Sequence, residues 1–147
     1  MKKSDSFETQ QQRYDYWVAF QDYAFQNVKF AKEFKRRKPS TDHWINYFIG
    51  SSECYISVSQ IRNRGVINVA LYIPDSKQLY RDLLEQKEDI ERRVNIPLSW
   101  YELPKRKASK IIIERVAEFE SREKWKEQFN WIIDVMFKMK RAFKKYL

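Results

Sequence analysis

Apolar residues recur at helical spacing through Tyr14, Trp17, Val18, Phe25 and Val28, with Phe20 and Ala24 widening the stripe. Asp5 and Glu8 stand at capping-box spacing ahead of them, so the pattern predicts a first helix over about 6–27. The next stretch carries Lys29, Lys32, Lys35, Arg36, Arg37 and Lys38 against one acid, Glu33, and then meets Pro39-Ser40-Thr41-Asp42. Proline and small polar residues stop helices, so 29–38 is expected to be a basic connector. From residue 44 the period shortens. Runs rich in Ile, Val and Tyr span 44–49, 54–61 and 66–73, divided by Gly50-Ser51-Ser52-Glu53 and by Arg62-Asn63-Arg64-Gly65. Connections this short force antiparallel hairpins.

Within the second run Cys54, Ile56 and Val58 alternate with Tyr55, Ser57 and Ser59, the pattern of a strand with one wet face. The third run is apolar almost throughout, which predicts a central strand covered on both faces. Pro74-Asp75-Ser76-Lys77-Gln78 opens a second helix, with Asp75 and Gln78 at capping-box spacing and Leu79, Leu83, Ile90 and Val94 on its inner side. Asn95 suits the left-handed stop of that helix. Two further strands, 98–102 and 109–116, flank a turn holding Pro104, Lys105, Arg106 and Lys107. A last helix over about 121–146 buries Trp125, Phe129, Ile132, Ile133, Met136, Phe143 and Leu147. The order α-β-β-β-α-β-β-α predicts a single α+β domain over 1–147. It has about five strands in a largely antiparallel sheet, packed by three helices.

Composition narrows the function classes. With 29 Lys and Arg against 20 Asp and Glu the formal charge is +9, which favours polyanionic partners. Gly50 and Gly65 are the only glycines, too few for a phosphate-cradling loop, so nucleotide-binding motifs of that kind are excluded. One cysteine, Cys54, and one histidine, His43, cannot build a zinc site or an internal disulfide. No cofactor and no metal are expected, and the reading is a cytoplasmic protein without a membrane segment.

The helix and strand order also suits a PD-(D/E)xK nuclease, and Asp75 is followed by Glu85-Gln86-Lys87. That chemistry needs acids on adjacent strands to hold magnesium, but 54–61 and 66–73 contain none, and Glu85 and Lys87 are expected in mid-helix on different faces. No catalytic residue is assigned. His43 is expected to be a hydrogen-bonded anchor at a strand entrance, and Cys54 a small buried hydrophobe. The remaining chemistry is basic. Lys35, Arg36, Arg37 and Lys38, then Arg62 and Arg64, then Lys105, Arg106, Lys107 and Lys110 fall mostly in connections, where side chains can meet phosphates. A fourth cluster, Lys138, Lys140, Arg141, Lys144 and Lys145, lies on the last helix. Its basic amphipathic character also suits an acidic membrane surface, although its apolar stripe is wanted by the sheet.

Arg37-Lys38-Pro39 with His43-Trp44, Val69-Ala70-Leu71-Tyr72-Ile73, Leu98-Ser99-Trp100, and Leu103-Pro104 before Lys107-Ala108-Ser109-Lys110-Ile111 together resemble the bacterial and archaeal domain of unknown function 4268 family. The resemblance covers about residues 12–145 and singles out His43, Trp44 and Trp100 as family-motif positions. Members of that family often look like C-terminal partners of a nuclease-like domain. The resemblance therefore implies a nucleic-acid context, with any enzyme on another chain. The reading is a basic, non-catalytic accessory module that binds DNA or RNA. A protein-interaction scaffold and a nuclease relic without an intact active site stay open beside it, as does the oligomeric state.

Overall fold

The computed structural model describes residues 6–147. Its elements are α1 (Phe7–Ala24), α2 (Val28–Glu33), β1 (Trp44–Tyr47), β2 (Tyr55–Ile61), β3 (Val66–Ile73), α3 (Lys77–Glu85), α4 (Lys87–Val94), β4 (Ser99–Tyr101), β5 (Ser109–Val116) and α5 (Trp125–Lys144). The strands form one antiparallel sheet in the order β1-β2-β3-β5-β4, an α+β fold with β3 at its centre. β3 and β5 keep the limits their apolar runs predict, because Gly65 and Pro74 bound the one and the basic turn precedes the other.

Five helices stand where three are expected. Asn27 accepts from the amides of Lys29 and Phe30 at 3.0 and 3.2 Å, and buried Phe30 anchors the turn, so the connector begins as α2 before running on without helix or strand. The second helix breaks at Gln86, which closes α3 and opens α4 with no proline or glycine to mark it. Leu79, Leu83, Ile90 and Val94 are all buried across the break. Asp5 lies outside the described residues, and Ser6 caps α1 by accepting the Thr9 amide at 3.0 Å. Ser76 caps α3 instead of Asp75, accepting the Leu79 amide at 3.1 Å, because the helix starts one residue later than the spacing suggests. Asn95 ends α4 at φ 59°, the left-handed conformation expected of it.

The inner face of α1 is Tyr16, Trp17, Phe20, Gln21 and Ala24, while Tyr14 and Val28 of the expected stripe are exposed. Adjacent aromatics at 14, 16, 17 and 20 leave the phase of that helix ambiguous in sequence, and the packing selects Tyr16. Its ring meets Trp17, Phe119, Trp125 and Phe129 edge-on at 5.0–5.6 Å, and its hydroxyl donates to Gln128 Oε1 at 2.8 Å. On α5 the predicted stripe is buried except for Leu147, which lies past the helix end and is exposed. That burial commits the apolar face of α5 to the core. Among the described residues no helix is long and apolar enough to cross a membrane.

β3 is central, but the described helices cover only one of its faces. Ile67, Val69, Leu71 and Ile73 join the hydrophobic core, whereas Asn68, Ala70 and Tyr72 alternate to the other side and stay outside it. Ala70 and Asn68 are buried by their neighbours on the sheet, which is why the sequence of β3 resembles a strand covered on both faces.

Candidate functional site

Strand alternation and register build the uncovered face row by row. Tyr55 of β2 pairs with Tyr72 of β3, Tyr72 with Lys110 of β5, and Lys110 with Tyr101 of β4. These four side chains stand in one line across three inter-strand steps, a span of roughly 14 Å. The tyrosine rings of Tyr55 and Tyr72 lie 5.4 Å apart, and the Lys110 ammonium sits 5.7 Å from the Tyr72 ring centre. The second row, Asn46, Ser57, Ala70 and Ile112 from β1 to β5, is low at its centre, where Ser57 and Ala70 stand. Trp44, Ser59, Asn68 and Glu114 form the third. Short side chains between taller rows leave a trough of about 340 Å³ between the tyrosine pair, Lys110 and Trp44.

Charge gathers around this face unevenly. Arg37 reaches its β1 side, where the guanidinium lies 4.6 Å from the ring centre of Phe48, one residue beyond β1 and exposed. Buried Gln21 holds the Arg37 backbone there: its Oε1 accepts the Arg37 amide at 2.7 Å and the Tyr47 hydroxyl at 3.1 Å, and its Nε2 donates to the Arg37 carbonyl. Lys105, Arg106 and Lys107 are exposed in the β4–β5 connection, beyond the Tyr101–Lys110 pair. Arg64, on the β2–β3 hairpin, pairs with Glu114 at 3.2 Å, and the same carboxylate accepts from Asn68 Nδ2 at 3.3 Å. The acid on the face is thus neutralised by a neighbouring arginine.

Other sequence candidates lie elsewhere. Arg62 turns inward, with Nε donating to Gln60 Oε1 at 2.9 Å and its guanidinium 4.9 Å from the Phe119 ring centre. Burial pushes its pKa below the usual arginine value. Arg36 pairs with Asp22 of α1 at 3.1 Å, while Lys35 and Lys38 are exposed on the connector. Trp100 faces the helices, stacking edge-on against Tyr80 at 6.2 Å and donating to the Glu91 carboxylate at 3.2 Å. His43 and Trp44 do reach the face, their rings 4.9 Å apart at the trough's rim, and the His43 carbonyl accepts the Gln60 amide at 2.8 Å. Cys54 is buried in the core, and burial raises its thiol pKa. Glu85 and Lys87 flank the α3–α4 break instead of lying in mid-helix. Among the described residues no three His, Cys, Asp or Glu side chains converge to hold a metal ion. The α5 lysines sit on the helical side of the sheet, where Lys140 donates to the Glu33 carbonyl at 2.6 Å.

The residues the sequence did not single out are Asn46, Tyr55, Ser57, Asn68 and Tyr72, whereas Tyr101, beside Trp100 and ahead of the Lys105 turn, is an aromatic the sequence offers for base stacking. Each of the first five is visible only when alternate positions of several strands are read together in register. Burial raises the Tyr55 hydroxyl pKa, and the neighbouring Tyr72 adds to the shift.

Neither the comparison with curated proteins nor that with solved structures finds a match. The family model described as Domain of unknown function (DUF4268) matches residues 12–147, from the second turn of α1 to the last residue, and the chain belongs to that family.

Proposed function

We propose that the uncovered sheet face binds single-stranded nucleic acid without cleaving it, as the accessory part of a nucleic-acid-handling system. The observation that carries this reading is the Tyr55–Tyr72–Lys110–Tyr101 row. Unpaired bases stack on aromatic side chains for roughly 1–3 kcal/mol each, independent of base identity, and a lysine within the row meets the phosphate between them. A duplex hides its base faces, so the tyrosines favour a single strand. Arg37, Lys105, Arg106, Lys107 and Lys110 supply phosphate contacts along the row, and the net +9 charge steers the strand toward them. Of the large apolar residues exposed among the described ones, Phe7, Val28, Leu84 and Val116 are spread over α1, α2, α3 and β5, whereas Trp44, Phe48 and Tyr101 lie on or beside the open face.

The test is a salt titration of binding to labelled single- and double-stranded DNA and RNA, followed by a check that the ligand is intact. Single strands bind more tightly than duplexes, with affinity falling steeply as salt rises. Tyr72→Ala weakens binding about tenfold at every salt concentration, whereas Lys110→Ala lowers the salt slope by about one. Absent or salt-independent binding overturns the proposal.

A further inference from the structure

We infer that a bound single strand crosses the sheet at right angles to the β-strands, over about five nucleotides, and that Phe48 with Arg37 forms the subsite at its β1 end; this rests on the reading of the open face as a nucleic-acid surface. Alternation places Phe48. Tyr47 is fully buried and Ile49 packs against the same core, so the side chain between them turns to the opposite face of the sheet, where it is 57 % exposed. Continuing the β1–β2 register by one residue from the Tyr47–Ile56 pair sets Phe48 opposite Tyr55. The first row then reads Phe48, Tyr55, Tyr72, Lys110, Tyr101, a line of roughly 19 Å from one edge of the sheet to the other.

Both ends of this line are basic. At the β1 end the Arg37 guanidinium stands 4.6 Å from the Phe48 ring centre, on a backbone fixed by buried Gln21, which accepts the Arg37 amide at 2.7 Å and donates to its carbonyl. More than half of Phe48 stays open beside it, so a base can stack there while the guanidinium takes the adjoining phosphate. At the far end Lys105, Arg106 and Lys107 lie exposed past Tyr101. The neighbouring rows offer a strand less. Ser57 and Ala70 at the centre of the second present no ring, and the third ends at Glu114, whose carboxylate already takes Arg64 at 3.2 Å and leaves that arginine no free charge for phosphate. The step of about 4.8 Å between positions of the row exceeds the roughly 3.4 Å that a nucleotide advances in a duplex strand. A strand laid across it is therefore drawn out, its bases resting on side chains instead of on one another.

The experiment measures anisotropy of the full chain with labelled oligo-dT of three to ten nucleotides. Affinity climbs with length and levels off at about five nucleotides. Phe48→Ala weakens binding of the ten-nucleotide strand about tenfold and brings the levelling point down by about one nucleotide, while Arg37→Ala lowers the salt slope by about one. Circular dichroism verifies that both variants fold. Five-nucleotide strands carrying a single 5-iodouracil then give the path by ultraviolet crosslinking: the end positions attach to Phe48 and Tyr101, and the central position to Tyr72. End positions that attach to Trp44, or a Phe48→Ala variant that binds every length as the wild type does, overturn the crossing path and leave the tyrosine row, whose own test is Tyr72→Ala, in place. If no length binds at low salt, the reading of the face falls, and the path with it.

Discussion

Lys77 opens α3, a position where a cation opposes the helix dipole, and the structure gives it another task. Its ammonium is half-buried under the β4–β5 connection, donating to the carbonyls of Leu103 at 3.0 Å and Ala108 at 2.8 Å, to Ser109 Oγ at 3.0 Å, and to the Glu102 carbonyl. One charged group thereby closes both ends of the segment that carries Lys105, Arg106 and Lys107. Lys77→Met keeps most of the aliphatic stem and removes every donor. A hydrogen bond from a charged group contributes roughly 1.5–3 kcal/mol, and three such donors would suggest a loss well above that. The acceptors sit beside an exposed turn, however, and water can replace part of the interaction once the loop opens. The net cost is therefore about 2–3 kcal/mol, which for a chain of this size lowers Tm by roughly 4–12 °C. Thermal melting gives the global figure, and amide hydrogen exchange locates it, with the amides of 103–108 exchanging faster while those of β3 keep their order of protection. A variant melting within 1 °C of the wild type, with unchanged exchange in that segment, would show that Lys77 does not hold the turn.

Two other sites give independent checks. Asn95 holds φ 59° at the end of α4, so Asn95→Ala costs about 1 kcal/mol and Asn95→Gly raises stability by a fraction of that, both read from denaturant midpoints at constant m-value. The Tyr146 hydroxyl and then Arg93 and Arg92 hold the Asp89 carboxylate well below the usual range, tying the end of the chain to α4. A depressed carboxylate pKa contributes stability that is complete above its unfolded value and is lost as pH falls through the folded one, so the acid limb of the stability profile contains this pair. Tyr146→Phe moves the Asp89 titration upward in a carboxyl carbon NMR experiment and flattens that limb, and an unmoved titration would show that the hydroxyl is not its main partner.

Local rules were enough for much of the molecule. The apolar runs of β3 and β5, the short hairpin connections and the buried stripes on the second and last helices follow from side-chain period and from what can bridge two strands, all of which lie within a few residues of one another. The left-handed end at Asn95 follows from the one side chain there that tolerates it. Choices between neighbours of similar chemistry did not: Ser76 caps in place of Asp75, and Tyr16 is buried in place of Tyr14, because helix start and rotation are fixed by the partner surface. The basic clusters were visible, but their destinations were not. Arg62 and Arg64 are two residues apart, yet one guanidinium packs over Phe119 and the other pairs with Glu114 on the open face.

Sequence alone therefore determined the five strands, the main helical stretches, the charge and the antiparallel hairpins, since each depends on short stretches of chain, but not α2 or the break at Gln86. Tertiary structure decided that β5 lies between β3 and β4, that one face of the sheet is left without helices, and that Tyr55, Tyr72, Lys110 and Tyr101 form a line. The reason is register: Tyr72 and Lys110, 38 positions apart in sequence, become neighbours only when β3 and β5 pair, and no local preference encodes that alignment.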